Sequence, residues 1–107
     1  MITELYATLY CVGKTLPKRD HFGIHMKMEN LSLTMLEAGI NAQFAHEKIK
    51  IPYLEKIRTA AEMEKHLIRT AWNLHIFSEK EYADLAVLLV EISKMANGWI
   101  KYVNGGR

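Results

Sequence analysis

The chain has 107 residues, half of them apolar, and a formal net charge of +2 from 14 Lys and Arg against 12 Asp and Glu. This length and composition predict one domain over residues 1–107 with a single hydrophobic core. The small excess of positive charge gives only a mild preference for polyanions, so nucleic-acid binding has to be argued from where the charges lie. A single cysteine excludes an internal disulfide and is typical of a reducing compartment.

Targeting and membrane signals are not found in the sequence. The start, Met-Ile-Thr-Glu-Leu, has neither a basic segment nor an uninterrupted apolar one, which predicts that there is no signal peptide. No window reaches the roughly 18 apolar residues that a membrane-spanning helix needs. We therefore expect a soluble, cytoplasmic protein with no membrane partner.

The first predicted helix covers residues 2–16. Its apolar residues recur at the spacing of one helical stripe: Leu5, Leu9, Val12 and Leu16. Pro17 disfavours the helical conformation of the residue before it, which predicts the end of this helix. Asp20 is the predicted N-cap of the second helix, which we place at about residues 21–49.

The second helix has two adjoining apolar stripes. The first consists of Ile24, Met28, Leu31, Met35 and Ala38, and the second consists of Leu33, Leu36, Ile40 and Phe44. Two stripes side by side form a wider apolar face than a single neighbouring helix covers. The pattern therefore predicts that this helix contacts more than one partner.

The third predicted helix covers about residues 52–76, with Pro52 in its first turn, where the missing N–H costs nothing. Its inward-facing residues are Leu54, Ile57, Ala61, Ile68 and Ala71. On the opposite side, Arg58, Lys65 and Arg69 follow one another at spacings of seven and four, interrupted by Glu62.

The fourth helix begins at a capping box, in which Ser78 is followed three residues later by Glu81. Residues 85–90 are six consecutive apolar residues, which cover the whole circumference of a helix and predict burial on more than one side. We assign four residues of this helix to the core or to a subunit interface: Val87, Leu88, Val90 and Trp99. A second interpretation of Trp99, as a platform on which a base stacks, stays open.

Four helices with short connections and no alternating apolar pattern predict an all-α fold. The architecture that fits is an antiparallel up-down-up-down four-helix bundle.

Signatures of catalysis and of metal binding are not found in the sequence. There is no glycine-rich phosphate loop and no nucleophile elbow, and no histidine has a glutamate three residues before it. Cys11 lacks a basic neighbour that would activate its thiol and is predicted to be a small core residue. Three of the five histidines, His46, His66 and His75, are expected to be partly exposed or at an interface. We predict a non-enzyme without cofactor or metal; a metal-binding bundle is the less favoured alternative.

The candidate contacts to a polyanion are Lys18, Arg19, Arg58, Lys65, Arg69 and Lys101. In a monomer, such small clusters are ordinary solvated surface. In a ring, each charge is repeated once per subunit, and affinity for a phosphate backbone rises with the number of contacts. The nucleic-acid hypothesis therefore depends on the oligomer hypothesis.

Two segments resemble a known family. The ending Gly98-Trp99-Ile100-Lys101-Tyr102-Val103-Asn104 resembles the last helix of Avd, the accessory variability determinant of diversity-generating retroelements. The junction Leu16-Pro17-Lys18-Arg19, followed by Phe22-Gly23, resembles the first helix junction of that family and of the related four-helix-bundle proteins encoded in 23S ribosomal RNA intervening sequences.

The resemblance implies a four-helix protomer that assembles as a homo-pentameric barrel. It also implies a non-catalytic protein that binds a reverse transcriptase and RNA or cDNA through a basic surface, in support of mutagenic retrohoming. The alternative is a structural or interaction module of the intervening-sequence type, without strong nucleic-acid binding.

Overall fold

The computed structural model describes residues 2–105, which form four helices joined by turns, with no strand in that range. Helix α1 is Ile2–Gly13. Helix α2 spans 18–44 and is built of three parts: a first turn Lys18–Asp20, a π-helical turn His21–His25 and the body Met26–Phe44. Helix α3 is Lys50–Asn73, preceded by a 3₁₀ turn Glu47–Ile49, and helix α4 is Glu79–Val103.

The four helices pack as a bundle in which each is joined to the next by a short connection. Helix α3 makes extensive contacts with both α2 and α4, and α1 packs against α2 and α4. The predicted all-helical bundle is confirmed. At 1.5 Å per residue, the 12 residues of α1 span about 18 Å and the 24 residues of α3 about 36 Å. Helix α1 therefore covers only about half the length of its neighbours.

The core consists of one apolar stripe from each helix. Buried residues of α1 and α2 include Leu5, Leu9, Met28, Leu31, Met35 and Ala38, and those of α3 and α4 include Leu54, Ile57, Ala61, Ile68, Ala71, Leu85, Leu89, Ile92 and Ala96. The predicted inward stripe of α3 is confirmed at all five positions, and the first stripe of α2 is confirmed from Met28 to Ala38.

The second apolar stripe of α2 has no partner among residues 2–105. Leu33, Leu36, Ile40 and Phe44 are all exposed, with Phe44 at 78 %. On α4, Val87 and Val90 are exposed as well, whereas Leu88 is half-buried against the core. The other helices therefore cover only part of the apolar run at residues 85–90. These two surfaces, here called the α2 stripe and the α4 patch, are the unpartnered apolar faces of the bundle.

The start of α2 differs from the prediction. Asp20 is not the N-cap: it lies inside the helix at φ −76° and ψ −38° and makes no capping hydrogen bond. Pro17 is the N-cap residue, with φ −58° and ψ 154°, and its carbonyl accepts the backbone N–H of His21 at 2.9 Å. Because the proline ring already fixes φ near this value, the helix starts directly after it.

The first three helices end earlier than predicted, α1 and α2 for reasons that the turns after them show. Helix α1 ends at Gly13 rather than Leu16, and the residues after it turn through i→i−3 hydrogen bonds such as Leu16 N–H to Gly13 O at 3.2 Å. Helix α2 ends at Phe44 rather than at residue 49, because residues 45 and 46 are extended. The Lys50 ammonium donates to the carbonyl of Ala42 at 2.7 Å and so supplies a hydrogen-bond partner to a carbonyl in the last turn of α2.

The last junction is close to the prediction. Helix α3 ends at Asn73, three residues early, and His75 adopts a positive φ of 63° where the chain reverses. The predicted capping box is confirmed: Ser78 Oγ accepts the Glu81 N–H at 3.1 Å, and Glu81 Oε1 accepts the Ser78 N–H at 2.8 Å.

Cys11 is exposed and not a core residue, which makes its predicted role wrong. At about 100° per residue, Cys11 lies roughly 200° around α1 from the buried Leu9, and therefore on the opposite side of the helix.

Candidate nucleic-acid interface

A groove of about 290 Å³ runs between α3 and α4. Its α3 wall consists of Glu62, Lys65, His66, Ile68 and Arg69, and its α4 wall consists of Tyr82, Ala86 and Val90. The basic row of α3 lies along this groove because positions 58, 62, 65 and 69 follow one helical edge at spacings of four, three and four. The α3 wall thus carries two cationic side chains and the carboxylate of Glu62, whereas the α4 wall is mainly apolar.

The charges along the α3 edge are unequally paired. Lys65 Nζ forms an ion pair with Glu62 Oε1 at 3.0 Å, which offsets part of its field. Arg58 donates through Nη1 to Asn97 Oδ1 of α4 at 3.2 Å, while its Nη2 lies 3.7 Å from Glu55 Oε2. Arg69 is exposed and makes no ion pair with any residue of the described range 2–105. Of the two arginines on the α3 edge, Arg69 is therefore the more available to an anionic ligand.

The six candidate basic residues do not form one patch in the protomer. Lys65 and Arg69 share the groove, and Arg58 lies on the same edge, about 10 Å from Lys65 along the helix axis. Lys18 and Arg19 are exposed in the first turn of α2, on a different helix. Lys101 is exposed in the last turn of α4, eleven residues or about 17 Å beyond Val90.

Trp99 is half-buried and packs against the core near the end of α4. The Lys50 ammonium lies 5.7 Å from the centroid of its ring, within the range of a cation–π contact. One face of the indole therefore has a lysine over it. Trp72 of α3 stacks on Tyr82 of α4 with ring centroids 4.6 Å apart and an interplanar angle of 18°.

Glu64 is a buried acid that sequence reasoning missed. It is completely buried, and its Oε2 accepts a hydrogen bond from Ser32 Oγ at 3.0 Å, while Oε1 has no partner among the described residues. Burial raises the pKa of Glu64 from 4.5 to about 8, and the Ser32 hydrogen bond opposes this only in part. The sequence did indicate that Glu64 is buried, because position 64 falls in the inward series 57, 61, 64, 68 and 71.

His25 is a second buried polar residue that was missed. Its Nε2 donates to the Leu9 carbonyl at 2.7 Å and lies 3.5 Å from Glu29 Oε2, while its ring stacks against His21 with centroids 5.8 Å apart. Gly13 of α1 leaves the room that this ring occupies. Gly23, at φ −99° and ψ −111°, breaks the regular helix between the two histidines.

Residues 2–105 hold neither a metal-binding cluster nor a membrane-spanning helix. This range holds no group of three or more His, Cys, Asp or Glu side chains that could bind a metal ion. It also contains no helix that is long and apolar enough to cross a membrane. The three histidines predicted to be partly exposed or at an interface, His46, His66 and His75, are exposed.

Comparison with protein-family models matches residues 1–103 to the family described as bAvd-like. The chain belongs to the bAvd-like family. The resemblance carried by the Gly98–Asn104 ending and the Leu16–Arg19 junction is thereby confirmed, and the match extends over nearly the whole of the bAvd-like chain. The comparison with curated proteins finds no match, and neither does the comparison with solved structures. Membership of this family points to an accessory protein of the diversity-generating retroelement type.

Proposed function

We propose that this bAvd-like chain is a non-catalytic accessory protein that binds the reverse transcriptase of a diversity-generating retroelement, together with RNA or cDNA, and supports mutagenic retrohoming. The observation that carries the proposal is the family match over residues 1–103. In this role the polymerase chemistry belongs to the partner enzyme, and the bundle supplies surfaces for binding.

The α3 edge is the proposed nucleic-acid contact. Arg58, Lys65 and Arg69 follow one side of a rigid helix, and two of them lie in the α3/α4 groove. Positive side chains on a rigid element hold their spacing when a phosphate backbone binds, and each contact releases condensed counterions. Two or three contacts per chain give weak binding, so the proposal requires several copies to act together.

We infer that several copies assemble as a homo-pentameric ring with no membrane partner, in the cytoplasm. The α2 stripe and Val87 of the α4 patch support assembly, because they are apolar surfaces without a partner among residues 2–105 and lie outside the α3/α4 groove. They lie on different helices, so a contact between them would be head-to-tail, which is the kind of contact that closes rings. A ring repeats the basic edge of α3 in every subunit.

Salt dependence of RNA binding tests the nucleic-acid contact. The affinity of the wild type for single-stranded RNA should fall steeply with added salt, by a log–log slope of about 0.7 for each phosphate contacted. The double substitution Lys65→Gln/Arg69→Gln should weaken binding and make the slope shallower. Its matched control is Lys56→Gln/Lys80→Gln, which removes two exposed lysines outside the groove.

Binding that is independent of salt would contradict a phosphate contact, as would equal losses in the two double variants. A specific observation favours the runner-up, an interaction module without nucleic acid: the net charge is only +2, and Glu62 pairs with Lys65. If the assembled wild type binds no RNA, the chain is an interaction module without a nucleic-acid ligand.

A further inference from the structure

The two walls of the α3/α4 groove differ in chemistry. Lys65 and Arg69 supply cationic groups from α3, whereas Tyr82, Ala86 and Val90 supply an aromatic ring and aliphatic carbon from α4. A purely electrostatic surface needs only the first wall. A ligand that matches both walls has to carry an anionic group and a flat, weakly polar body within one small unit.

Tyr82 lines the groove and also belongs to an aromatic stack. One face of its ring packs on Trp72 at 4.6 Å, which fixes the orientation of the ring, and Tyr82 has no second aromatic partner within residues 2–105. The ring is half-buried and lines the groove. A flat group that stacks on Tyr82 from the groove has to use the face of the ring that Trp72 does not cover.

We propose that the α3/α4 groove binds an unpaired nucleotide of a single strand, with the base against Tyr82, Ala86 and Val90 and the adjoining phosphate on Lys65 and Arg69. This inference rests on the proposed function and deepens it by naming the form of nucleic acid. The groove, at about 290 Å³, is as small as the smallest ligand sites. Bases in a duplex have both faces stacked on their neighbours, so only a strand with exposed bases fits.

Abasic strands separate base contacts from phosphate contacts. The affinity of the wild type is measured for single-stranded RNA, single-stranded DNA, an abasic strand of equal length and a duplex. Stacking on an aromatic side chain strengthens binding by at least about five-fold per base. We expect the base-bearing single strands to bind at least about five-fold tighter than the abasic strand, and tighter than the duplex. A difference between the RNA and DNA arms shows which strand the groove prefers.

Two variants test whether the preference for base-bearing over abasic strands arises in the groove. Tyr82→Leu should abolish the preference for base-bearing over abasic strands and leave the affinity for the abasic strand unchanged. Its control, Tyr102→Leu, removes an exposed tyrosine elsewhere on α4 and should keep the preference. Ala86→Leu fills the groove from the same helix without removing the Trp72–Tyr82 stack, and should act like Tyr82→Leu if the latter fails to fold.

The outcomes distinguish this inference from the proposed function. Equal, salt-dependent affinity for base-bearing and abasic strands would overturn the nucleotide groove and leave the phosphate contact standing. Preference for the duplex would overturn it as well, as would a base preference that survives in folded Tyr82→Leu and Ala86→Leu. Failure of every strand to bind would contradict both the groove and the proposed function.

Discussion

At the scale of single residues, Glu64 is the group on which the stability of the bundle should depend most visibly. It is an acid in the core, with one oxygen bonded to Ser32 and the other without a partner in the described chain. Transfer of a carboxylate into apolar surroundings is costly, so the side chain holds its proton and its pKa rises to about 8. An apolar residue at this position would avoid the desolvation cost of a buried carboxyl group.

The raised pKa predicts that stability falls as pH increases. Between about pH 4.5 and pH 8, Glu64 is protonated in the folded chain and ionised in the unfolded chain. The folded state then binds more protons, so the free energy of unfolding decreases with pH, by an amount on the order of 5 kcal/mol over the whole interval. Glu64→Gln should remove this part of the slope and make the protein more stable than the wild type at pH 8.

Denaturant unfolding, followed by circular dichroism at pH 5 and pH 8, measures the effect. The matched control is Glu62→Gln, since Glu62 is exposed two residues away and should leave the wild-type slope unchanged. If Glu64→Gln and the wild type lose the same free energy between the two pH values, Glu64 does not titrate as described.

At the scale of helices, the approach of α1 to α2 depends on Gly13. A Cβ atom there would lie 2.5 Å from Nε2 of His25, a buried ring nitrogen that is already bonded to the Leu9 carbonyl. The ring has no space into which to move, because it also packs against His21 and Phe77. The two helices can therefore pack this closely only where the side chain is a hydrogen atom.

Gly13→Ala should destabilise the bundle by about 1–3 kcal/mol through overpacking. Gly98→Ala is its matched control: no atom lies within 4 Å of a Cβ at that position, and alanine favours the helix over glycine by up to about 1 kcal/mol. Thermal unfolding should therefore show opposite shifts, a lower Tm for the first variant and an equal or higher one for the second. A neutral Gly13→Ala would mean that α1 does not pack on His25 in this way.

The sequence allowed the helices to be predicted in number and order, and the inward faces of α2 and α3 largely so, because their apolar periodicity is strong. The inward face of α4 was not predictable in this way, because residues 85–90 are apolar all round the helix and periodicity does not separate buried Leu85 and Leu89 from exposed Val87 and Val90.

The capping box at Ser78 was predictable, since both of its partners lie within four residues. The α1 and α2 ends were misplaced by three and five residues because they depend on contacts between distant segments. Examples are the Gly13–His25 contact and the Lys50 ammonium on the end of α2.

The site was only partly predictable. The regular spacing of Arg58, Lys65 and Arg69 predicted that they share one edge of α3. It did not predict the α4 wall of the groove, because that wall depends on how the two helices pack. Glu64 was missed because acidic residues are usually at the surface, although its position in the inward series indicated otherwise. Cys11 was misplaced because the lack of an activating neighbour says nothing about burial, whereas its angle of roughly 200° from Leu9 around α1 places it at the surface.

At the scale of the whole molecule, the exposed α2 stripe predicts self-association. The wild type should have a mass in solution near five times that of the 12.4 kDa chain, about 62 kDa, by light scattering on a sizing column. Leu33→Gln/Ile40→Gln places two amides in the stripe and should give a folded protein of lower mass. The control Met63→Gln/Leu74→Gln changes two exposed apolar residues outside the α2 stripe and the α4 patch, and should leave the mass unchanged.

A wild type that elutes as a monomer would contradict the ring and leave the α2 stripe to another partner. If Leu33→Gln/Ile40→Gln keeps the wild-type mass, the ring uses surfaces other than the α2 stripe.

The most direct test of the accessory role is the mass of a mixture. The chain, the reverse transcriptase of the same retroelement and its RNA are combined at low salt and passed over a sizing column with light scattering. The proposed function predicts one peak that contains both proteins and is heavier than either alone. Separate elution of the assembled bundle and the active reverse transcriptase, with RNA present, would contradict it.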